Sequence, residues 1–204
     1  MMLPLVLTAV LAQGLPVQSV QHAPVRTSPA GRVARTPAAE PAVASVPLSD
    51  AQVRSRVEAY LGAIDTRIPE SVWTALGAQA TPVLKEIFED RNQLSFRRGR
   101  ALAALGVVGA PEAGGLALRA AEDNGEPYLV RLAALRTAER VLSPGAFHTA
   151  SVSLLRGAGD VRVRARAAAA LSRDSGNCEA VQGQLSRERP DDREYFHEAS
   201  RKCP

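Results

Sequence analysis

From Leu48 onward, apolar residues recur at helical spacing, and short breaks rich in proline, glycine and polar residues interrupt them. Ser49-Asp50-Ala51-Gln52 is a capping-box start, with Gln52 three residues after Ser49. Val53, Val57, Tyr60, Leu61 and Ile64 then follow in steps of three and four, which predicts one amphipathic helix. Prolines 69, 82, 111, 127, 144 and 190 each open a further apolar-periodic run. Proline is tolerated in a first helical turn, where its missing N–H has no partner to lose. The runs predict first helices over about 66–77, 93–106, 127–141 and 160–173, and second helices over about 82–90, 111–121, 144–156 and 177–188. Thr81 and Ser143 stand as N-caps, and glycines near the breaks fit left-handed C-caps. A final helix is expected from Asp191, with Glu194 completing a second capping box.

The runs are copies of one another. Val163-Arg164 is followed by Ala167 and Ala170 at the third and sixth positions after the arginine. One period earlier, Val130-Arg131 is followed by Ala134 and Thr137, and one period before that Arg97-Arg98 is followed by Ala101 and Ala104. Leu105-Gly106 closes that helix. A fourth copy runs from Asp65 to Gly77, with Pro69 where the arginine should be and Trp73 at an alanine position. A period of about 33 residues over four copies indicates stacked helix pairs, because two short helices cannot bury both their apolar stripes alone.

Asp160, Val163, Arg164, Ala167, Ala168, Ala170 and Leu171 together resemble the HEAT repeat, in the short variety found in bacterial HEAT proteins and phycobilin lyase subunits. The resemblance covers roughly 65–188 and implies an all-α protein. Its form would be a right-handed α-solenoid of about four HEAT-like helix pairs with N- and C-terminal capping helices, usually a protein-binding scaffold. Trp73 is then expected to plug one end of the stack. Asp160 and Arg164, at i and i+4, are expected to pair, and Arg98, Arg131, Asp160 and Arg164 to form a structural ladder. The second helices should line a concave surface, on or near which Lys85, Glu89, Arg119, Glu122, His148 and Arg156 are the candidate contact residues.

Composition agrees with closely packed helices: alanine occupies 36 of 204 positions and aromatics only 4%. Leu3 to Ala12 is uncharged and ends in Val10-Leu11-Ala12, which resembles a short secretory signal peptide cleaved after Ala12; an apolar tail or a misassigned start is the alternative. Residues 13–47 hold six prolines and no aromatic residue, which reads as a disordered linker ahead of a domain at 48–204. The expected location is therefore periplasmic or extracellular. In that setting the two cysteines, Cys178 and Cys203, are expected to form a disulfide that ties the last helix over the open end of the stack. Two independent thiols are the alternative.

Charge narrows the partner. The net +4 divides evenly, with +2 in the stretch 1–47 and +2 in the remainder, too little concentration for a phosphate-binding domain. Arg97, Arg98 and Arg100, and Arg162, Arg164 and Arg166, are the dense basic runs. They read either as a site for an anionic partner or as solvated faces balanced by Asp160, Asp174 and Glu139. GVVGAPEAGG at 106–115 follows no strand and reads as an inter-helix turn. Glu194 and His197 lie one turn apart without a third metal ligand, and no nucleophile elbow, zincin, P-loop or dinucleotide motif occurs. The expectation is a non-catalytic monomer that needs no metal or cofactor, has no membrane span, binds another protein and does not bind nucleic acid. The alternatives are a helical-repeat enzyme, of DNA-alkylation-glycosylase or bilin-lyase type, and a purely structural spacer.

Overall fold

A computed structural model describes residues 48–64 and 66–203. The expected leader at 1–12 and linker at 13–47 lie outside the described residues. The described chain is all-helical, with no strand: α1 (Asp50–Gly62), α2 (Glu70–Leu76), α3 (Thr81–Glu89), α4 (Ser95–Val108), α5 (Ala113–Glu122), α6 (Tyr128–Val141), α7 (Pro144–Gly157), α8 (Val161–Leu171), α9 (Cys178–Arg187) and α10 (His197–Lys202). Short 3-10 turns at Gly77–Ala80, Ser175–Asn177 and Pro190–Phe196 complete it.

Local chemistry sets most of these ends. The capping box before α1 is made: Ser49 Oγ accepts from the Gln52 amide at 3.3 Å, and Gln52 Oε1 accepts from the Ser49 amide at 2.9 Å. Val53, Val57 and Leu61 are buried, but α1 stops at Gly62 and leaves Ile64 beyond it, exposed. Ser143 caps α7 as its sequence position predicts. Thr81 does not cap α3, because the 3-10 turn before it runs straight into the helix and places Thr81 in helical geometry. The expected helix from Asp191 is instead a 3-10 turn followed by α10. No side chain caps its start, and Asp192 accepts from Arg189 Nε at 2.7 Å.

Gly106 also departs from expectation. It lies inside α4, and Gly109, with φ of 73°, takes the left-handed cap. The absent side chain at Gly106 has a packing use: a Cβ there would meet Thr137 Cγ2 at 3.0 Å and Val141 Cγ1 at 3.3 Å. At Gly99 a Cβ would meet that of Ala133 at 3.1 Å. Small residues thus let α4 and α6 approach closely.

Among helices consecutive in the chain, the most extensive contacts are those of α3 with α4, α5 with α6, and α7 with α8. Each is a second helix of one predicted pair joined to the first helix of the next, since proline punctuation does not distinguish the two ways of pairing. Helix α2 lies on α4, α4 on α6, and α6 on α8; the 3-10 turn at Pro190–Phe196 and α10 cover α8. One continuous core of Val, Leu and Ala side chains runs through these helices, from Val53 to Cys203. At its first end Trp73 is buried and meets Tyr60 edge-on at 5.6 Å. At its last end Cys178 and Cys203 form a disulfide with Cα atoms 5.0 Å apart, beside buried Phe196 and Ala199.

Candidate protein-docking face

The arginines that recur once per repeat do one job three times: each reaches back to the end of the preceding helix. Arg98 Nε donates to Phe88 O at 2.8 Å, Arg131 Nε to Ala121 O at 3.0 Å, and Arg164 Nη1 to Ala158 O at 2.8 Å and Gly159 O at 3.1 Å. The last carbonyls of a helix lack intrahelical donors and carry its negative pole, so a guanidinium there satisfies both needs.

A carboxylate then links two of these arginines onward along the chain. Glu126, in the α5–α6 turn, takes Arg98 in two parallel bonds of 2.7 and 2.8 Å. Glu188, beyond α9, takes Arg164 at 2.6 and 2.5 Å. That pairing holds the Glu188 carboxyl below its ordinary range against the opposing effect of burial. The middle rung differs. The residue 28 positions after Arg131, matching Glu126 after Arg98, is Gly159. Arg131 Nη2 is buried without a hydrogen-bond partner, and burial lowers the pKa of this guanidinium. Asp160 does not pair with Arg164 as expected. It caps α8 by accepting from the Arg162 amide at 2.8 Å, and its carboxylate folds onto the Arg162 guanidinium at 2.6 Å. Its ladder role passes to Glu126 and Glu188, whose unequal spacing hides them in the sequence.

The six predicted contact residues do not converge. Lys85 and Glu89 sit one turn apart on α3, 4.0 Å from each other. Glu89 and Arg119 line a groove of about 280 Å³ with Arg91 and Asp123. Glu122 and Arg156 are exposed at the ends of α5 and α7. His148 Nε2 donates to Asn177 Oδ1 at 2.8 Å at the rim of a cleft of about 540 Å³, between α7 and α8, whose apolar wall is Leu142, Phe147 and Leu171.

A different face gathers more of the unusual surface. Two clefts open along α2, α4, α6 and α8. The first, about 350 Å³, is lined by Tyr60, Ile64, Arg67, Ile68, Trp73 and Arg100. Arg100 donates to the Ala63 and Ile64 carbonyls, which fixes the chain after α1 as its rim. The second, about 250 Å³, is walled by Tyr128, Leu132, Ala165, Ala169 and Tyr195 and carries Arg136, Arg162, Arg166, His197 and the acidic Glu198. Arg162 stacks on Tyr128, its guanidinium carbon 3.9 Å from the ring centroid. The large apolar side chains exposed among the described residues are Ile64 (70%), Leu94 (62%), Leu129 (50%) and Tyr195 (45%). Leu94 is the N-cap of α4 and Leu129 the second residue of α6, while Ile64 and Tyr195 lie shortly before α2 and α10. None lies on α3, α5, α7 or α9. The repeat places Leu94, Tyr128, Arg162 and Tyr195 at successive intervals of 33 or 34 residues, so the Tyr128–Arg162 stack and Tyr195 recur at one register position.

Among the described residues, no group of three His, Cys, Asp or Glu side chains could hold a metal ion, and no helix is long and apolar enough to cross a membrane. Glu194 and His197 meet through the Glu194 carbonyl, to which His197 Nδ1 donates at 3.2 Å. Comparison with protein-family models, with curated proteins and with solved structures finds no match to this chain.

Proposed function

We propose that the chain is an exported, monomeric α-solenoid of HEAT-like helix pairs that acts as a non-catalytic scaffold and docks another protein on its α4–α6–α8 face. The observation that carries this reading is the pair of clefts along α2, α4, α6 and α8, with exposed Ile64 lining the first, exposed Tyr195 the second, and exposed Leu94 and Leu129 at the starts of α4 and α6. Covering such side chains removes apolar surface from water and favours a partner there. The Arg98–Glu126 and Arg164–Glu188 pairs support stacking, because each joins residues far apart in sequence across successive helices. The disulfide is compatible with an oxidising compartment.

The test is site-specific photo-crosslinking in cells that make the full chain. A photoreactive residue at Leu129 or Tyr195 is expected to give discrete adducts with one partner protein, and the same residue at Glu89 or Arg156 is expected to give none. Adducts confined to Glu89 and Arg156, or none at any position, would overturn the assignment of the face.

A further inference from the structure

The charge of the α4–α6–α8 face is not balanced from within. Arg100, Arg136, Arg140, Arg162, Arg166 and Arg173 lie on these helices or just beyond α8. Glu70 takes Arg140, and Asp160 takes Arg162. Glu139 is shared between Arg166, at 3.5 Å, and Arg173. Arg100 is held by two carbonyls and, among the described residues, by no carboxylate. Arg136 is exposed in the second cleft with no carboxylate within salt-bridge distance among the described residues. Among the described residues three carboxylates therefore serve these six guanidiniums; Glu198 also lines the second cleft but is taken by Lys202 at 3.4 Å, which leaves Arg136 without a carboxylate beside the Tyr128–Arg162 stack and Tyr195.

We infer that the cleft between α6, α8 and the 190–203 segment receives an acidic, extended segment of the partner protein, with its carboxylates on Arg136 and Arg166 and an apolar side chain against Tyr128 and Tyr195. This rests on the docking face proposed above and names the chemistry of what binds there. A guanidinium without a partner beside a half-neutralised one offers forked donors to carboxylates. The cleft volume of about 250 Å³ suits one or two side chains. Nucleic acid fits less well. Glu70, Glu139 and, in the cleft itself, Glu198 interrupt the positive strip that a phosphate backbone would follow. The wall that carries Tyr195 and His197 belongs to the segment that the Cys178–Cys203 disulfide fastens, so the cleft has its full shape in the oxidised protein.

The experiment is fluorescence anisotropy on the oxidised full chain at low ionic strength, with a labelled peptide of repeated Glu-Glu-Leu triplets. The controls are the same peptide with Gln for Glu and an oligothymidylate of equal charge. The acidic peptide is expected to bind, the Gln peptide not to, and Arg136→Glu to weaken binding about tenfold. Arg136 is exposed and unpaired, so this substitution leaves the fold intact. Arg156→Glu, on α7, is expected to change the affinity less than twofold. No binding of the acidic peptide, or equal loss in Arg136→Glu and Arg156→Glu, would overturn the inference. Tighter binding of the oligothymidylate, equally sensitive to Arg136→Glu, would overturn it in favour of nucleic acid. Crosslinks from Leu129 and Tyr195 to a protein that Arg136→Glu leaves undiminished would keep the docking face and reject the acidic segment; the absence of those crosslinks would reject the face itself.

Discussion

Replacing Glu126 by Ala removes the carboxylate from a guanidinium that has almost no access to water. The Arg98 and Glu126 side chains are 5% and 7% exposed, and their two bonds are 2.7 and 2.8 Å long. In the variant Arg98 keeps the Phe88 carbonyl and the Phe88 ring, 5.7 Å away, but its charge is stranded. Breaking a buried pair from one side costs about 3–5 kcal/mol, most of it the uncompensated charge. For a domain of this size each kcal/mol is worth about 2–4 °C, so Tm should fall by about 6–20 °C. Glu86→Ala is the matched control. Its pair with Arg54 has the same forked geometry but is 43% and 61% exposed, and water screens such exposed pairs so that they contribute little. Thermal melts of both variants by far-ultraviolet circular dichroism, with the disulfide intact, make the comparison. If Glu126→Ala melts within about 2 °C of Glu86→Ala, the claim that this pair binds successive helix pairs together is wrong. A double variant, Arg98→Met with Glu126→Leu, should recover part of the loss, because it removes both charges together.

Further expectations rest on the same geometry. Glu188 has its pKa held down by Arg164, so its contribution is complete above the ordinary carboxylate range and is lost as pH falls through and below that range. Tm of the native protein should therefore drop on acidification more steeply than Tm of Glu188→Gln, and parallel curves would refute the link. The disulfide closes a loop of sequence separation 25, which in the chain-entropy model stabilises by about 3.5 kcal/mol. Melts with and without reductant should differ accordingly, and equal melting points, or free thiols in the unreduced protein, would count against it. Gly106→Ala would press a Cβ on Thr137 and Val141 and should destabilise by about 1–3 kcal/mol. Gly183→Ala, inside α9 with nothing within 4 Å of the new Cβ, should stabilise by about 0.4–1 kcal/mol. Urea midpoints that move in the same direction for both glycine variants would refute the packing role given to Gly106.

Much of the architecture was legible because it is repeated. The recurring arginine and small residues, with proline at the helix starts, place α4, α6, α7, α8 and α9 close to where they lie. The cysteine pair was legible from its even count in a chain read as exported, and the α1 capping box from its local spacing. What was hidden depends on tertiary neighbours. Gly106 looks like a helix end because glycine serves both left-handed turns and close approaches; only the packing of α6 reveals which use applies. Asp160 has the right spacing to meet Arg164, but the last residue before a helix is drawn to the helix's own first amides and, here, to Arg162. Glu126 and Glu188 stand 28 and 24 residues after their arginines, so no fixed period finds them. Arg136 and Tyr195 look in the sequence like any solvated face, and the unbalanced charge around them appears only once α6, α8 and the C-terminal segment are together.

Pairwise distances between spin labels at Val107, Arg140 and Arg173, equivalent positions of successive repeats on or just after α4, α6 and α8, test the stacking most directly. Packed helix axes lie about 8–10 Å apart. Stacking in a row predicts two neighbour separations of that order and a Val107–Arg173 separation twice as long, about 16–20 Å. Three equal separations would mean a closed bundle, and both the row of helix pairs and the docking face built on it would be contradicted.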